Sequence, residues 1–237
     1  MAKHNVSRTM STQHPDNVHT PFFSDNPELW GEDEVKEVFY AYSHIHCKEQ
    51  LWDCEGKEVD NFVVKKLLSK YEPYFRKNTL GKDIALTLRV PNPSVEKNEA
   101  KILLETLESI PRNYDAANLF YDKEVAPIFE IALPMTRSHK ELVRIAQYYR
   151  NHVVGKQHHK IDGMKISDWI GDFKPESLRM IPLIEENDTI LDADKIVENY
   201  LKEEKVEEYQ RVWLARSDPA LNYGNLATVL MLKVSLQ

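Results

Sequence analysis

Ile84-Ala-Leu-Thr-Leu-Arg-Val-Pro-Asn-Pro93 is a short apolar run that ends on an arginine and two prolines flanking an asparagine. Isoleucine, leucine and valine in a run of this length predict a strand buried on both faces. The prolines stop it, because a residue without an N–H cannot extend a central ladder. Asn92 is a plausible helix cap and Pro93 a favoured first helical residue, its φ already near the helical value. Leu103, Leu107 and Ile110 then recur on one face. The stretch reads as a strand running straight into a helix, the repeating unit of a parallel α/β fold.

The same alternation extends outward. Upstream, Val35, Val38, Phe39 and Tyr42 have helical spacing from Glu32 onward, and Glu49-Gln-Leu-Trp-Asp53 is a weak strand candidate. Downstream, Pro127-Ile-Phe-Glu-Ile-Ala-Leu-Pro134 reads as a strand. Ser138 with Glu141 then forms a capping-box pattern before Leu142, Ile145 and Ala146. Met180-Ile-Pro-Leu-Ile184 is a further strand, followed by a helix that Asp192 could cap. Arg211-Val-Trp-Leu-Ala-Arg216 is the last, and the apolar stretch Leu226 to Leu236 follows it. No strand is followed by GxGxxG or GxxxxGK[ST], which argues against a nucleotide-binding open sheet. The polar residues of interest sit at strand carboxyl ends, where barrel enzymes keep their chemistry. The expected fold is therefore α/β, of the (β/α)8 TIM-barrel type, and incomplete: five or six candidate strands stand against the eight a barrel needs. The expected division is an irregular leading segment over residues 1–31 and a partial barrel over residues 32–237, with the chain cut before the barrel closes.

Composition narrows the class. The 237 residues are 42% hydrophobic and 29% charged, with mean hydropathy −0.53 and no apolar run long enough for a membrane span. Two cysteines, Cys47 and Cys54, rule out a disulfide framework, so a reducing, cytoplasmic setting is expected. The 31 basic residues are scattered among 38 acidic ones, which argues against nucleic-acid binding.

Three constellations could carry chemistry. In Thr9-Met-Ser-Thr-Gln-His-Pro-Asp-Asn17, Pro15 stiffens the chain beside His14, an imidazole able to act as a base near neutral pH; a plain polar loop fits the same residues. Glu185 and Asp218 each follow an apolar run at a strand end. They could be solvated acids or two ligands of a hard divalent cation. Arg89 ends a strand next to a helix start, where it could meet an anion or form an ion pair, and Arg216 is a second candidate beside Asp218. Glu130 copies the Glu185 pattern but reads as mid-strand. The acidic cluster Trp52-Asp53-Cys-Glu55 has no role that its residues alone define.

The His14 string, Ile181-Pro-Leu-Ile-Glu185, Arg89-Val-Pro-Asn92 and Ala215-Arg-Ser-Asp-Pro-Ala-Leu-Asn-Tyr-Gly224 occur in the order seen in archaeal-type phosphoenolpyruvate carboxylases, and the chain resembles that family from about Thr9 to its last residues. The resemblance implies a metal-dependent TIM-barrel enzyme that makes oxaloacetate and phosphate from phosphoenolpyruvate and bicarbonate. Glu185 and Asp218 would hold Mg2+ or Mn2+, Arg89 and Arg216 would contact substrate, and His14 would act with Arg89 in catalysis. It also implies a homotetramer. The family's later glycine- and arginine-rich segment has no counterpart here. Where larger bacterial enzymes place a lysine after the metal aspartate, this chain has Leu221, so that role does not transfer. Two rivals remain: another metal-dependent carbon–carbon lyase acting on pyruvate-like or acyl substrates on a TIM barrel, and an inactive fragment.

Overall fold

The computed structural model describes residues 6–13, 19–24, 29–55 and 60–237. Strands and helices alternate along the chain: β1 (Met10–Ser11), α1 (Glu32–Ser43), β2 (Glu49–Asp53), α2 (Val63–Lys70), α3 (Glu72–Phe75), β3 (Ala85–Arg89), α4 (Ala100–Tyr121), β4 (Glu130–Leu133) and α5 (His139–Tyr148). A π-helical turn and a 3-10 turn lead from α5 into a small hairpin, β5 (Lys160–Ile161) and β6 (Met164–Lys165), then α6 (Ile166–Ile170). The main alternation resumes with β7 (Arg179–Ile184), α7 (Asn187–Leu191), α8 (Ala193–Glu204), β8 (Trp213–Leu214), α9 (Ser217–Tyr223) and α10 (Asn225–Ser235).

Six strands form one sheet in the order β1-β2-β3-β4-β7-β8, and every pairing in it is parallel. Its central strands are buried along most of their length, as apolar runs covered on both faces should be. The core joins Leu86 and Leu88 of β3 to Val35 and Val38 of α1, Leu67 of α2, and Leu103, Leu107 and Ile110 of α4.

The sheet is curled. Glu49 opens β2 and Arg211 lies just before β8, four strand positions apart. In a flat sheet that separation is roughly 19 Å, more than an arginine and a glutamate can bridge. Yet both nitrogens of the Arg211 fork lie 2.9 Å from the Glu49 carboxylate, and Nη1 lies 2.6 Å from Glu130 Oε2. The chain is a mixed α/β fold whose sheet bends into part of a barrel.

Several expectations shift. Glu130 is the first residue of β4, at the strand end remote from the candidate chemistry, and it pairs with Arg211. The leading segment contributes β1, which pairs with β2. Asn92 does not cap α4, which begins at Ala100 with Glu99 at its cap position. The Ser138–Glu141 capping box forms as expected. No helix among the described residues is long and apolar enough to cross a membrane.

Candidate active site at the strand carboxyl ends

Asp53 and Arg89 are the last residues of β2 and β3, and the parallel register sets them side by side. Their side chains meet in a forked pair, Nε to Oδ1 at 2.9 Å and Nη2 to Oδ2 at 2.5 Å, the geometry for which a guanidinium is suited. Glu55 adds a second carboxylate 3.1 Å from Nε. The acidic cluster that the sequence left without a role is thus the clamp on Arg89. Burial works against the charge on Arg89, but Asp53, Glu55 and Glu185 outweigh it and raise its pKa. Nη1 takes no part in these bonds, so a donor edge remains for an anion.

Glu185 follows β7 and is half-buried. Its Oε2 accepts a hydrogen bond from the Met135 N–H at 2.5 Å. Met135 sits at φ 48°, a left-handed conformation that costs a methionine free energy and persists only where its surroundings enforce it. Asn92 supplies that enforcement: fully buried, it donates Nδ2 to the Pro134 carbonyl at 2.9 Å and to the Met135 carbonyl at 3.3 Å. Its Oδ1 accepts from Ser94 N–H at 3.0 Å. The residue expected to start a helix instead holds the turn that aims Glu185.

Asp218 lies in the first turn of α9, directly after β8, the strand that pairs with β7. Burial raises the Glu185 carboxyl above the ordinary range; the Met135 hydrogen bond lowers it, the negative charge of Asp218 raises it and Arg89 lowers it. Asp218 and Arg89 each act electrostatically on Glu185, at the same end of the sheet. Arg216 is exposed beside Asp218.

His14 lies outside the described residues. Gln13, its neighbour, is doubly tied: its Oε1 accepts from the Asp53 N–H at 2.6 Å, and its Nε2 donates to Glu34 Oε1 at 3.1 Å. The leading segment is therefore fastened to the end of β2 that bears the Arg89 clamp.

Glu185 and Asp218 follow neighbouring strands, and carboxylate oxygens are the donors a hard divalent cation takes. Among the described residues no group of three or more His, Cys, Asp or Glu side chains converges to hold a metal. The protein would supply two oxygen ligands and leave the other positions to water and substrate, as magnesium sites commonly do.

Residues 6–237 match the sequence model of the phosphoenolpyruvate carboxylase family. The chain belongs to that family. Curated phosphoenolpyruvate carboxylases from Methanospirillum hungatei, Methanothermobacter thermautotrophicus and Pyrococcus furiosus are 59%, 56% and 53% identical to it, each over 98% of this chain. The matched region is 48%, 48% and 49% of those proteins, so the chain spans about half the length of these curated relatives. Among solved structures, a citrate synthase, SbnG, superposes with a TM-score of 0.39 at 12% identity, covering 84% of this chain and 67% of that one. That likeness is too loose to carry an argument.

Within this chain, the sequence alone did not reveal Asp53 and Glu55 as partners of Arg89, Asn92 as the brace behind Glu185, or Gln13 as a tether. Two signals were present. Asp53 and Arg89 both end strands, and strands joined by a helix pair in parallel, which aligns their ends. Gln13 sits one residue from the histidine singled out on other grounds.

Proposed function

We propose that this chain is the amino-terminal half of a phosphoenolpyruvate carboxylase that forms oxaloacetate and phosphate from phosphoenolpyruvate and bicarbonate. What supports the proposal is that Arg89, Glu185 and Asp218 all lie at or just beyond the carboxyl ends of strands in one curled parallel sheet, in a chain of this family. In the longer polypeptide the sheet would close as a (β/α)8 barrel. A cytoplasmic homotetramer is the assembly we favour.

Bicarbonate oxygen would attack phosphorus, and the bond from phosphorus to the enol oxygen would break, giving carboxyphosphate and the enolate of pyruvate. Mg2+ or Mn2+ held by Glu185 and Asp218 would supply Lewis-acid stabilisation of the enolate oxygen. Arg89 would offer Nη1 to the phosphoryl group while Asp53 and Glu55 fix the rest of its guanidinium, so that little reorganisation is needed as charge develops. Arg216 would add a second cation from the α9 side. His14 would take the proton from carboxyphosphate as it splits into carbon dioxide and phosphate, and the enolate carbon would attack the carbon dioxide. Gln13 would position the segment that brings His14 over the site.

Two measurements test this. The 237-residue chain should gain thermal stability in millimolar Mg2+, and Glu185→Gln with Asp218→Asn should remove the gain by linkage; an equal shift in that double variant would dismiss the pair as ligands. Joined to the second half of the Methanospirillum relative, the chain should form oxaloacetate. There Glu185→Gln should lower kcat by roughly a hundredfold or more, and His14→Asn should release phosphate with little oxaloacetate. Undiminished oxaloacetate from His14→Asn would take the imidazole out of the mechanism.

A further inference from the structure

At the opposite end of the sheet, a cavity of about 600 Å3 opens beneath the amino ends of β2 and β3, lined by Ser7, Arg8, Lys48, Lys82, Asp83 and Phe129 among others. Its three cations come from three separate segments: Arg8 precedes β1, Lys48 immediately precedes β2, and Lys82 lies in the turn before β3. The Lys48 and Lys82 backbones are held in place. The Lys48 N–H donates to Thr9 O at 3.2 Å and to Thr9 Oγ1 at 3.1 Å, and its carbonyl accepts from Ala85 N–H at 2.8 Å. The Lys82 N–H donates to Thr79 O at 3.1 Å, in a turn whose Gly81 packs hard against Ala126.

The charge balance is unusual for this molecule. The chain carries net charge −7, and most of its buried or half-buried cations are paired. Among the described residues, Arg8, Lys48 and Lys82 have no ion-pair partner. Asp83, the one acid among the described wall residues, accepts the Thr79 N–H at 2.8 Å, so the described wall keeps a positive excess. Three like charges brought to one concavity raise the local positive potential, and low-dielectric walls concentrate it. The volume is within the range of small-molecule sites and well beyond the needs of a bare ion.

We propose that this cavity is a second anion site, taking a small phosphate monoester whose phosphate lies among Arg8, Lys48 and Lys82. Arginine and lysine together suit a phosphate, the first as a planar fork and the second as a point charge. The site is roughly 16 Å from the Arg89 clamp, the length of β2 at about 3.3 Å per residue. It is separate from the proposed carboxylase chemistry and does not depend on it.

The test is titration of the 237-residue chain with phenyl phosphate at fixed ionic strength, followed by calorimetry. Phenol and succinate serve as comparison ligands, one without charge and one with charge but no phosphate. Saturable binding of phenyl phosphate is expected, at least tenfold tighter than either comparison. Lys48→Ala with Lys82→Ala should weaken it at least tenfold, Lys82→Gln alone severalfold, and Lys202→Ala on the exposed face of α8 by less than twofold. Both lysines are exposed, so the variants should unfold at the wild-type temperature. The proposal fails if phenyl phosphate does not saturate, if succinate or phenol binds as tightly, or if the double lysine variant binds as the wild type does.

Discussion

Glu55 lies beside Arg89 and is hydrogen-bonded to Glu96, so its carboxyl, largely withdrawn from water next to a second acid, holds its proton more tightly than usual. Burial is the main cause that pushes Glu55 up to about 8; Arg89 opposes it, and the neighbouring charges of Glu96 and Asp53 add to it, with a hydrogen bond to Glu96. The sign of the effect on stability follows. Between about 4.5 and 8 the folded chain holds a proton at Glu55 that the unfolded chain has released, so this site's contribution falls as pH rises through that window. Urea midpoints should therefore decline from pH 6 to pH 8.5. Glu96→Gln replaces the repelling partner with an amide, should lower the Glu55 pKa, and should flatten the decline. Parallel profiles for the two proteins would show that Glu96 does not set this titration. Above pH 8 the ionised Glu55 becomes a stronger competitor for Arg89, which ties the same proton to the readiness of that guanidinium for an anion.

At the scale of single elements, Gly81 shows how one turn fixes the approach to β3. Its φ is +91°, and a Cβ there would lie 2.1 Å from the Ala126 carbonyl oxygen, which is backbone and cannot step aside. Gly81→Ala should cost roughly 3 kcal/mol, the upper end of the usual range. At Gly163, where φ is +82° but nothing lies within 4 Å, alanine should cost only about 1 kcal/mol from strain alone. Equal losses in urea denaturation would mean that the Ala126 contact carries no weight. Local patterns of this kind are what the sequence could convey. The strand candidates around Ala85–Arg89, Glu130–Leu133 and Arg179–Ile184 were readable because a strand buried on both faces is an apolar run, and the Ser138–Glu141 box because both partners lie within four residues. The β5–β6 hairpin was missed although Asp162-Gly163, both at positive φ, is a recognised hairpin signal. Asn92 was misread for a different reason. Its amide could cap locally, but the Pro134 and Met135 carbonyls lie more than forty residues away in sequence, and no local pattern announces them. The candidate site divided the same way: Glu185, Asp218 and Arg89 announced themselves as strand ends, while their supports did not.

For the whole molecule, the curl of the sheet depends on a contact between its distant strands. Arg211, just before β8, reaches across to Glu49 of β2 and Glu130 of β4, with the two carboxylates 0% and 3% exposed. Thr87 Oγ1 donates to Glu49 at 2.6 Å and Tyr209 OH to Glu130 at 3.3 Å, so the network is well supplied with partners. One guanidinium nonetheless serves two buried acids, and burial raises the Glu130 carboxyl against the pull of Arg211. Arg211→Met keeps much of the volume and strands both acids. Breaking a buried pair from one side typically costs about 3–5 kcal/mol, because the remaining charge has lost its solvation and its partner alike. Arg137 and Glu186 form an exposed forked pair of similar chemistry, so solvent screening should leave Arg137→Ala with far less effect on stability than Arg211→Met. Adding Glu49→Gln to Arg211→Met should recover part of the loss, since an amide needs no counter-charge, and a double variant no more stable than Arg211→Met would place the cost in packing alone. If urea denaturation gives Arg211→Met and Arg137→Ala the same penalty, the guanidinium is not holding β8 to β2 and the curl must come from the strand twist and the helices packed behind it.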